Sequence, residues 1–362
     1  MGCFLYILSI MANLKKRTVK NPSLNSKTLL VCGGAGFIGS NFIRMVLDRY
    51  PRVRVINLDK LTYAGNPDNL RDIAHDSRYY FVRGDIAKQG KMMEICKEFR
   101  PDYIVNFAAE THVDRSVHEG ATPFFQTNVL GTLKILEAVR AFPVSSFLQI
   151  STDEVYGSLS IKSRKRFTEE SPLAANSPYA ASKASADLLC RSFFKTYNVP
   201  VVITRCSNNY GPYQTPEKLI PFFVSQLMVG KPLTLYGDGR NVRDWIHVDD
   251  HNNAALRVLL SGVHGEIYNV GASTEISNIA LVKKMLRHFK KSTNNIIFIA
   301  NRPGHDLRYA VDASKIEKQL GWKPKHSFES AFLETIDWYK AHQQWMRRAL
   351  KRIGTPNAHI SH

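Results

Sequence analysis

Two clusters in this 362-residue chain have the residue types and spacing for proton chemistry. In Tyr179-Ala-Ala-Ser-Lys183 a phenol and an ammonium stand four residues apart, one helical turn, on the same face. A nearby cation stabilises phenolate and draws it down from its solution pKa of ~10. Such a pair suits proton abstraction from a hydroxyl as hydride leaves its carbon. The second cluster is Ser151-Thr152-Asp153-Glu154-Val155-Tyr156-Gly157. Ser151 or Thr152 can donate a hydrogen bond to the same reacting oxygen. Adjacent carboxylates at a strand end are disfavoured by β-propensity and by like charge. Environments that separate their pKa values would let one act as acid and the other as base.

A third motif supplies the redox partner. Gly33-Gly34-Ala35-Gly36-Phe37-Ile38-Gly39 directly follows an apolar run and opens a helical one. Glycines at 33, 36 and 39 permit a tight turn, close approach of a pyrophosphate and close helix–strand packing. The helix N-terminus then offers free N–H groups to phosphates. Asp59 ends the second apolar run, where a carboxylate binds ribose hydroxyls and repels a 2′-phosphate, which points to NAD rather than NADP. Asp85, in Gly-Asp-Ile, is placed to reach the adenine or to cap a turn.

The elements that must position these groups follow from pattern. Thr28–Cys32, Val53–Leu58, Tyr80–Arg83, Tyr103–Phe107, Phe147–Ser151 and Val201–Arg205 read as strands. Their near-continuous apolar runs indicate burial on both faces of a parallel sheet. Helical stretches fall between them, including Ser40–Tyr50 and Val129–Phe142. The alternation predicts an α/β fold with a doubly wound, Rossmann-like parallel sheet. After Arg205 the chain turns looped and proline-rich, and a smaller, interleaved C-terminal domain is expected. The expected division is a basic N-terminal extension over 1–27, a cofactor domain over 28–205, a substrate domain over 206–339, and a basic tail over 340–362. Residues 247–270 are expected to return to the first domain.

Composition bounds the partners. The net charge is +18, but residues 1–27 and 340–362 each carry five Lys or Arg and no acid. The body keeps only +8, which an anionic small substrate explains, so a nucleic-acid partner is not expected. Cys3–Met11 is apolar but only nine residues long, with no basic lead-in and too short to span a bilayer. It reads as a disordered or spurious extension. The five cysteines form no C-x-x-C pair, which suits reduced thiols in a cytoplasmic protein. No metal site and no membrane association are expected.

With these residues in hand, the chain resembles the extended short-chain dehydrogenase/reductases. Within them it is similar to the dTDP-glucose 4,6-dehydratase family, from about Thr28 to Tyr339. The resemblance rests on Asp59–Asn66, Ala108–Ser116, Ser151–Gly157, Ser177–Asp187, Arg205–Pro221, Arg243–Trp245 and Arg302–Asp306. It implies that Tyr179, assisted by Thr152 and Lys183, takes the C4 hydroxyl proton while hydride moves to NAD. Glu154 would then remove the C5 proton, and Asp153 would protonate the departing C6 hydroxyl before hydride returns to C6. It also implies cofactor contacts from Phe37, Ile38, Asp59, Lys60, Thr62, Asp85, Ile86, Ala108, Ala109, Thr127, Tyr179, Lys183 and Asn209. The implied substrate contacts are Thr111, Asn208, Lys218, Leu219, Tyr236, Arg243, Asn278, Arg302, His305 and Tyr309. Arg243 and Arg302 suit bidentate diphosphate contacts, and Tyr236 could stack on a pyrimidine. A homodimer is implied as well.

The expected function is therefore NAD-dependent dehydration of dTDP-glucose to its 4-keto-6-deoxy product. A UDP-glucose 4,6-dehydratase, a sugar-nucleotide 4-epimerase and a nucleotide-sensing or RNA-associated protein are the alternatives. The intact Tyr179, Lys183, Asp153 and Glu154 weigh against a pure binder. The basic loop Leu159–Phe167 is expected to be solvated, with a role in access to the site as its alternative.

Overall fold

Strands built of Leu, Val and Ile have no polar face to turn toward water, so they pack best inside a sheet covered on both sides. In the computed structural model, which describes residues 23–354, six of them are β1 (Thr28–Cys32), β2 (Arg54–Asp59), β3 (Tyr79–Arg83), β4 (Tyr103–Asn106), β5 (Ser146–Thr152) and β6 (Val201–Cys206). Three short strands, β7 (Asn208–Tyr210), β8 (Leu233–Tyr236) and β9 (Val242–His247), belong elsewhere, and β10 (Ile267–Val270) completes the sheet. Its order is β10-β6-β5-β4-β1-β2-β3, parallel throughout. The order reverses between β1 and β4, which opens a crevice at the carboxyl ends of those strands. β5 is buried along its whole length, whereas β3 is the half-exposed edge.

Helices cover both faces. The early ones are α1 (Phe37–Arg49), α2 (Lys91–Phe99), α3 (Val113–His118) and α4 (Gly131–Ala141), the last entered through a π-helical turn at Phe125–Leu130. The long α5 (Pro178–Tyr197) starts at a Ser177 cap, whose hydroxyl accepts from the Ala180 amide, with Pro178 at the first helical position.

The second body packs α6 (Leu219–Met228) against two small sheets, β11 (Glu275–Ser277) with β9 and β7, and β12 (Ile296–Ile299) with β8. Between those segments α7 (Val248–Ser261) packs on β5 and β6, ahead of β10 in the main sheet. The remaining helices are α8 (Asn278–His288), α9 (Ser314–Leu320), α10 (Phe328–Ala341) and α11 (Gln343–Ile353). Ile316 and Trp322 pack into the core of the first body, so the chain crosses back once more late in its course.

Both expected tails need correction. Leu24 is fully buried in the main core and Lys27 pairs with Asp102 at 2.9 Å, so the fold begins inside the stretch assigned to the N-terminal extension. Cys3–Met11 lies outside the described residues. The C-terminal stretch 340–362 is not simply a tail. Residues 343–353 form α11, because Trp345, Met346 and Ala349 recur at helical spacing and bury one face in the second core while the arginines face outward. Among the described residues, no helix is long and apolar enough to cross a membrane.

Candidate active site

The glycine-rich turn between β1 and α1 is dictated by space. Gly33 has φ +76°, and a Cβ there would lie 2.5 Å from the Ala108 backbone nitrogen. A Cβ on Gly39 would lie 2.5 Å from the Gly33 carbonyl oxygen. No side chain caps the start of α1, which leaves its first N–H groups for a phosphate. At the end of β2 the Asp59 carboxylate accepts from the Ala35 amide at 3.0 Å and the Leu61 amide at 2.8 Å. Burial pushes Asp59 above the usual carboxylate range, while those amides, Arg352 and Lys60 pull it back. Lys60 donates to the Thr127 hydroxyl at 3.0 Å and stands 3.5 Å from Asp85. Asp85 also accepts from the Ala87 amide, so it serves as a turn cap too. Asp59, Lys60, Thr62, Asp85, Ile86, Ala108, Ala109 and Thr127 line one end of the crevice, with Gly33 and Gly36.

The crevice continues into a cavity of about 230 Å³ lined by Gly33, Gly36, Phe37, Ile38, Gly39, Thr152, Asp153, Glu154, Tyr179, Lys183 and Asn209. β5 ends at Thr152, whose hydroxyl accepts from the Glu154 amide at 3.3 Å and caps a short 3-10 turn. That cap fixes both carboxylates at the mouth of the sheet. The Thr152 hydroxyl lines the same cavity as the Tyr179 phenol and donates to Asp153 Oδ1 at 3.4 Å. Asp153 Oδ2 is buried with no partner among the described residues. Burial raises the Asp153 pKa well above its ordinary value, and Glu154 and Asp244 add to the effect. Glu154 is also raised by burial, but Arg302, Arg243 and Lys218 oppose it. Their surroundings thus leave Asp153 the better proton donor and Glu154 the better acceptor.

One expectation fails. Lys183 was expected to draw the Tyr179 phenol down. Burial and the Glu154 charge instead raise Tyr179 well above its ordinary value. Tyr179 and Lys183 do share a helix face, but the ammonium reaches to β5 and donates to the Ile150 carbonyl at 2.6 Å.

A second cavity of about 230 Å³ holds the ten residues expected at the substrate: Thr111, Asn208, Lys218, Leu219, Tyr236, Arg243, Asn278, Arg302, His305 and Tyr309. Glu154, Lys218, Thr111 and Asn208 line both cavities, so Glu154 stands at their junction. The arginines are less free than the sequence implied. Arg243 donates to the Val242 and Asp306 carbonyls and lies 4.3 Å over the Tyr309 ring. Arg302 is ion-paired with Asp114, which also accepts from the Tyr236 hydroxyl at 3.2 Å. Arg302 Nε remains buried without a partner among the described residues. Lys218 donates to the Thr111 carbonyl at 2.9 Å. Burial and neighbouring Arg302 and Arg243 push His305 down to about 3, so it is a neutral side chain here.

Sequence reasoning singled out neither Asp114 nor Glu217. Asp114 holds Arg302 across 188 positions of chain, a pairing that spacing cannot reveal. Glu217 is buried beside Lys218 within the quoted Arg205–Pro221 segment, but only the fold shows that it lines the cavity. The loop 159–167 is solvated as expected, with Ser160–Lys162 and Arg164–Arg166 exposed, but its ends are pinned. It forms β-bridges to Arg308 and Val311, and Arg166 reaches Glu275 at 3.3 Å.

The family described as GDP-mannose 4,6 dehydratase matches residues 30–335. A dTDP-glucose 4,6-dehydratase of Xanthomonas campestris pv. campestris is 47% identical over 341 residues, covering 89% of this chain and 96% of that protein. The chain belongs to the dTDP-glucose 4,6-dehydratase family. The crystal structure of a family member from Bacillus anthracis, in complex with NAD, superposes with a TM-score of 0.83 at 46% identity, over 89% of this chain and 99% of that one. A UDP-glucuronic acid 4-epimerase from Bacillus cereus shares the fold more distantly, with a TM-score of 0.80 at 27% identity over 87% of this chain and 99% of that one.

Proposed function

We propose that this chain converts dTDP-glucose to dTDP-4-keto-6-deoxyglucose with NAD as its resident cofactor. The observation that carries this reading is the pair Asp153 and Glu154 in the cavity that Tyr179 lines, with Glu154 at the junction with the substrate cavity. An epimerase needs an oxidising cofactor and a base for C4, but elimination of water also needs an acid and a second base.

The residues present fit NAD. The crevice has glycines where a Cβ would collide, uncapped N–H groups on α1 and a carboxylate on β2 for ribose hydroxyls. Gly33, Gly36, Phe37, Ile38, Gly39, Asp59, Lys60, Thr62, Asp85, Ile86, Ala108, Ala109, Thr127, Tyr179, Lys183 and Asn209 would hold it. When bound, NAD supplies reversible two-electron oxidation, first at C4 and then in reverse at C6. Tyr179 takes the C4 hydroxyl proton, with Thr152 donating to the same oxygen. To take that proton Tyr179 must be a phenolate, so its own proton has to leave first, against the burial and the Glu154 charge that raise its pKa. The C4 ketone acidifies C5, Glu154 removes that proton, and neutral Asp153 protonates the C6 hydroxyl as it departs as water; once hydride is returned to C6, protonated Glu154 gives a proton back to C5. Lys218, Arg243 and Arg302 supply charge for the diphosphate, and Tyr236 a ring for the base.

Two further assignments belong to the same reading. Exposed Phe125, Leu130 and Leu188, on the turn before α4 and on α5, support a homodimer through these helices. Four buried free thiols, Cys32, Cys96, Cys190 and Cys206, support a cytoplasmic protein.

Mass spectrometry of separate dTDP-glucose and UDP-glucose incubations tests the reaction and the base. Loss of one water from dTDP-glucose is expected. Isomerisation without mass change overturns dehydration, and faster loss of water from UDP-glucose overturns the choice of base.

A further inference from the structure

We infer that α11 is a strap that holds the loop 59–69 against the adenosine end of the cofactor crevice, with Trp345 and Arg352 as positioning residues that set how slowly NAD leaves. This rests on the reading of an NAD-dependent enzyme given above. α11 lies wholly beyond residue 335, where the family match ends.

Three attachments join the helix to the loop. The Trp345 indole N–H donates to Asn69 Oδ1 at 2.9 Å, and Asn69 Nδ2 donates to the Ala35 carbonyl at 3.0 Å. A two-step chain of hydrogen bonds therefore runs from α11 into the glycine-rich turn, whose Ala35 amide binds Asp59. Arg352 Nη2 donates to the carbonyls of Leu61 at 3.0 Å and Thr62 at 3.1 Å. Arg348 pairs with Asp68. Asp59, Lys60 and Thr62, which line the adenosine end, sit on the strand end and loop so tethered.

The loop needs holding. Leu61 has φ +58°, a left-handed conformation that a leucine keeps only where its surroundings impose it. Its amide donates to Asp59 and its carbonyl accepts from Arg352, so both sides of the strained residue are engaged. Arg352 also adds a favourable charge to buried Asp59. The inner face of α11 is anchored independently of the loop. Trp345 packs edge-on against Trp338 and Tyr213, with ring centroids 5.4 Å and 5.7 Å away. A helix anchored on one body thus grips a loop of the other. The chemistry explains why slow release is useful: electrons removed from C4 must be retained until they return at C6, and a cofactor lost between those steps strands a ketone.

Two variants test this: the surface double substitution Arg348→Ala/Arg352→Ala, and Trp345→Phe, which keeps an aromatic ring but deletes the N–H. Release of NAD from the loaded protein is followed by rapid gel filtration, and amide hydrogen exchange is followed over residues 60–69. Each variant is expected to release NAD about tenfold faster, as loss of charged or buried hydrogen bonds implies. Amides 60–69 should exchange faster, those of β5 should not, and kcat at saturating NAD should be unchanged. Wild-type release rates in both variants, or unchanged exchange over 60–69, overturn the strap. A wild-type chain that takes up no NAD overturns the cofactor reading itself.

Discussion

Glu217→Gln isolates a buried carboxyl group at the edge of the substrate cavity. Its side chain is only 6% exposed, and Oε1 has no hydrogen-bond partner among the described residues. Burial raises its pKa from 4.5 to about 7, and Glu110 adds to this, while Lys218, Arg115 and the Tyr63 hydroxyl oppose it. His112 Nε2 stands 3.8 Å from the carboxylate. Because the folded pKa lies above the unfolded one, folding binds a proton between them. The stability tied to this group is complete below pH 4.5 and is lost as pH rises toward about 7. A move of that size corresponds to about 3 kcal/mol. Denaturant unfolding of both proteins across this pH interval measures it. The wild type should lose about 3 kcal/mol more than the glutamine variant, which cannot ionise and should be the more stable of the two above pH 7. Parallel stability curves would refute the reasoning, because they would mean that Glu217 is as well solvated when folded as when unfolded.

Glu154→Gln should still permit oxidation at C4 but halt before C5 deprotonation. The near-ultraviolet absorbance of reduced nicotinamide should persist, and C5 should take up no solvent deuterium; ordinary turnover would remove Glu154 from the mechanism. Tyr179→Phe should lower kcat/KM by about 100- to 10,000-fold with NAD still bound, as loss of a positioned acid–base group does; a smaller loss would assign that proton to another residue. Gly33→Ala would press a Cβ against the Ala108 backbone at a positive φ. A cost of about 1–3 kcal/mol in thermal stability is expected, together with weaker NAD binding; an unchanged melting curve would mean that the turn relaxes freely.

Local pattern carried much of the architecture. β1, β5 and β6 were legible because their runs are apolar on both faces, and a parallel sheet wants that. β7 and β11, three residues each, were not, because so short a run has no pattern of its own and is held by its neighbour β9. The π-turn at Phe125–Leu130 was not read from the sequence, which placed a helix only from Val129, since no residue type marks an extra residue in a turn.

For the site, the sequence by itself determined the chemistry present: a glycine turn with a carboxylate for a dinucleotide, a phenol one helical turn from an ammonium, and two adjacent acids. Motif chemistry is local, set by residue type and by spacing along one strand or helix turn. The tertiary structure decided what each group feels. It turned Lys183 toward the Ile150 carbonyl, paired Arg302 with Asp114, buried Asp153 and set Arg302 and Arg243 where their charges oppose the burial of Glu154. It also folded a basic tail into a helix that grips the cofactor loop. Burial and charge pairing depend on residues far apart in the chain, and only the packed fold brings those distances onto the scale at which desolvation and Coulomb forces act.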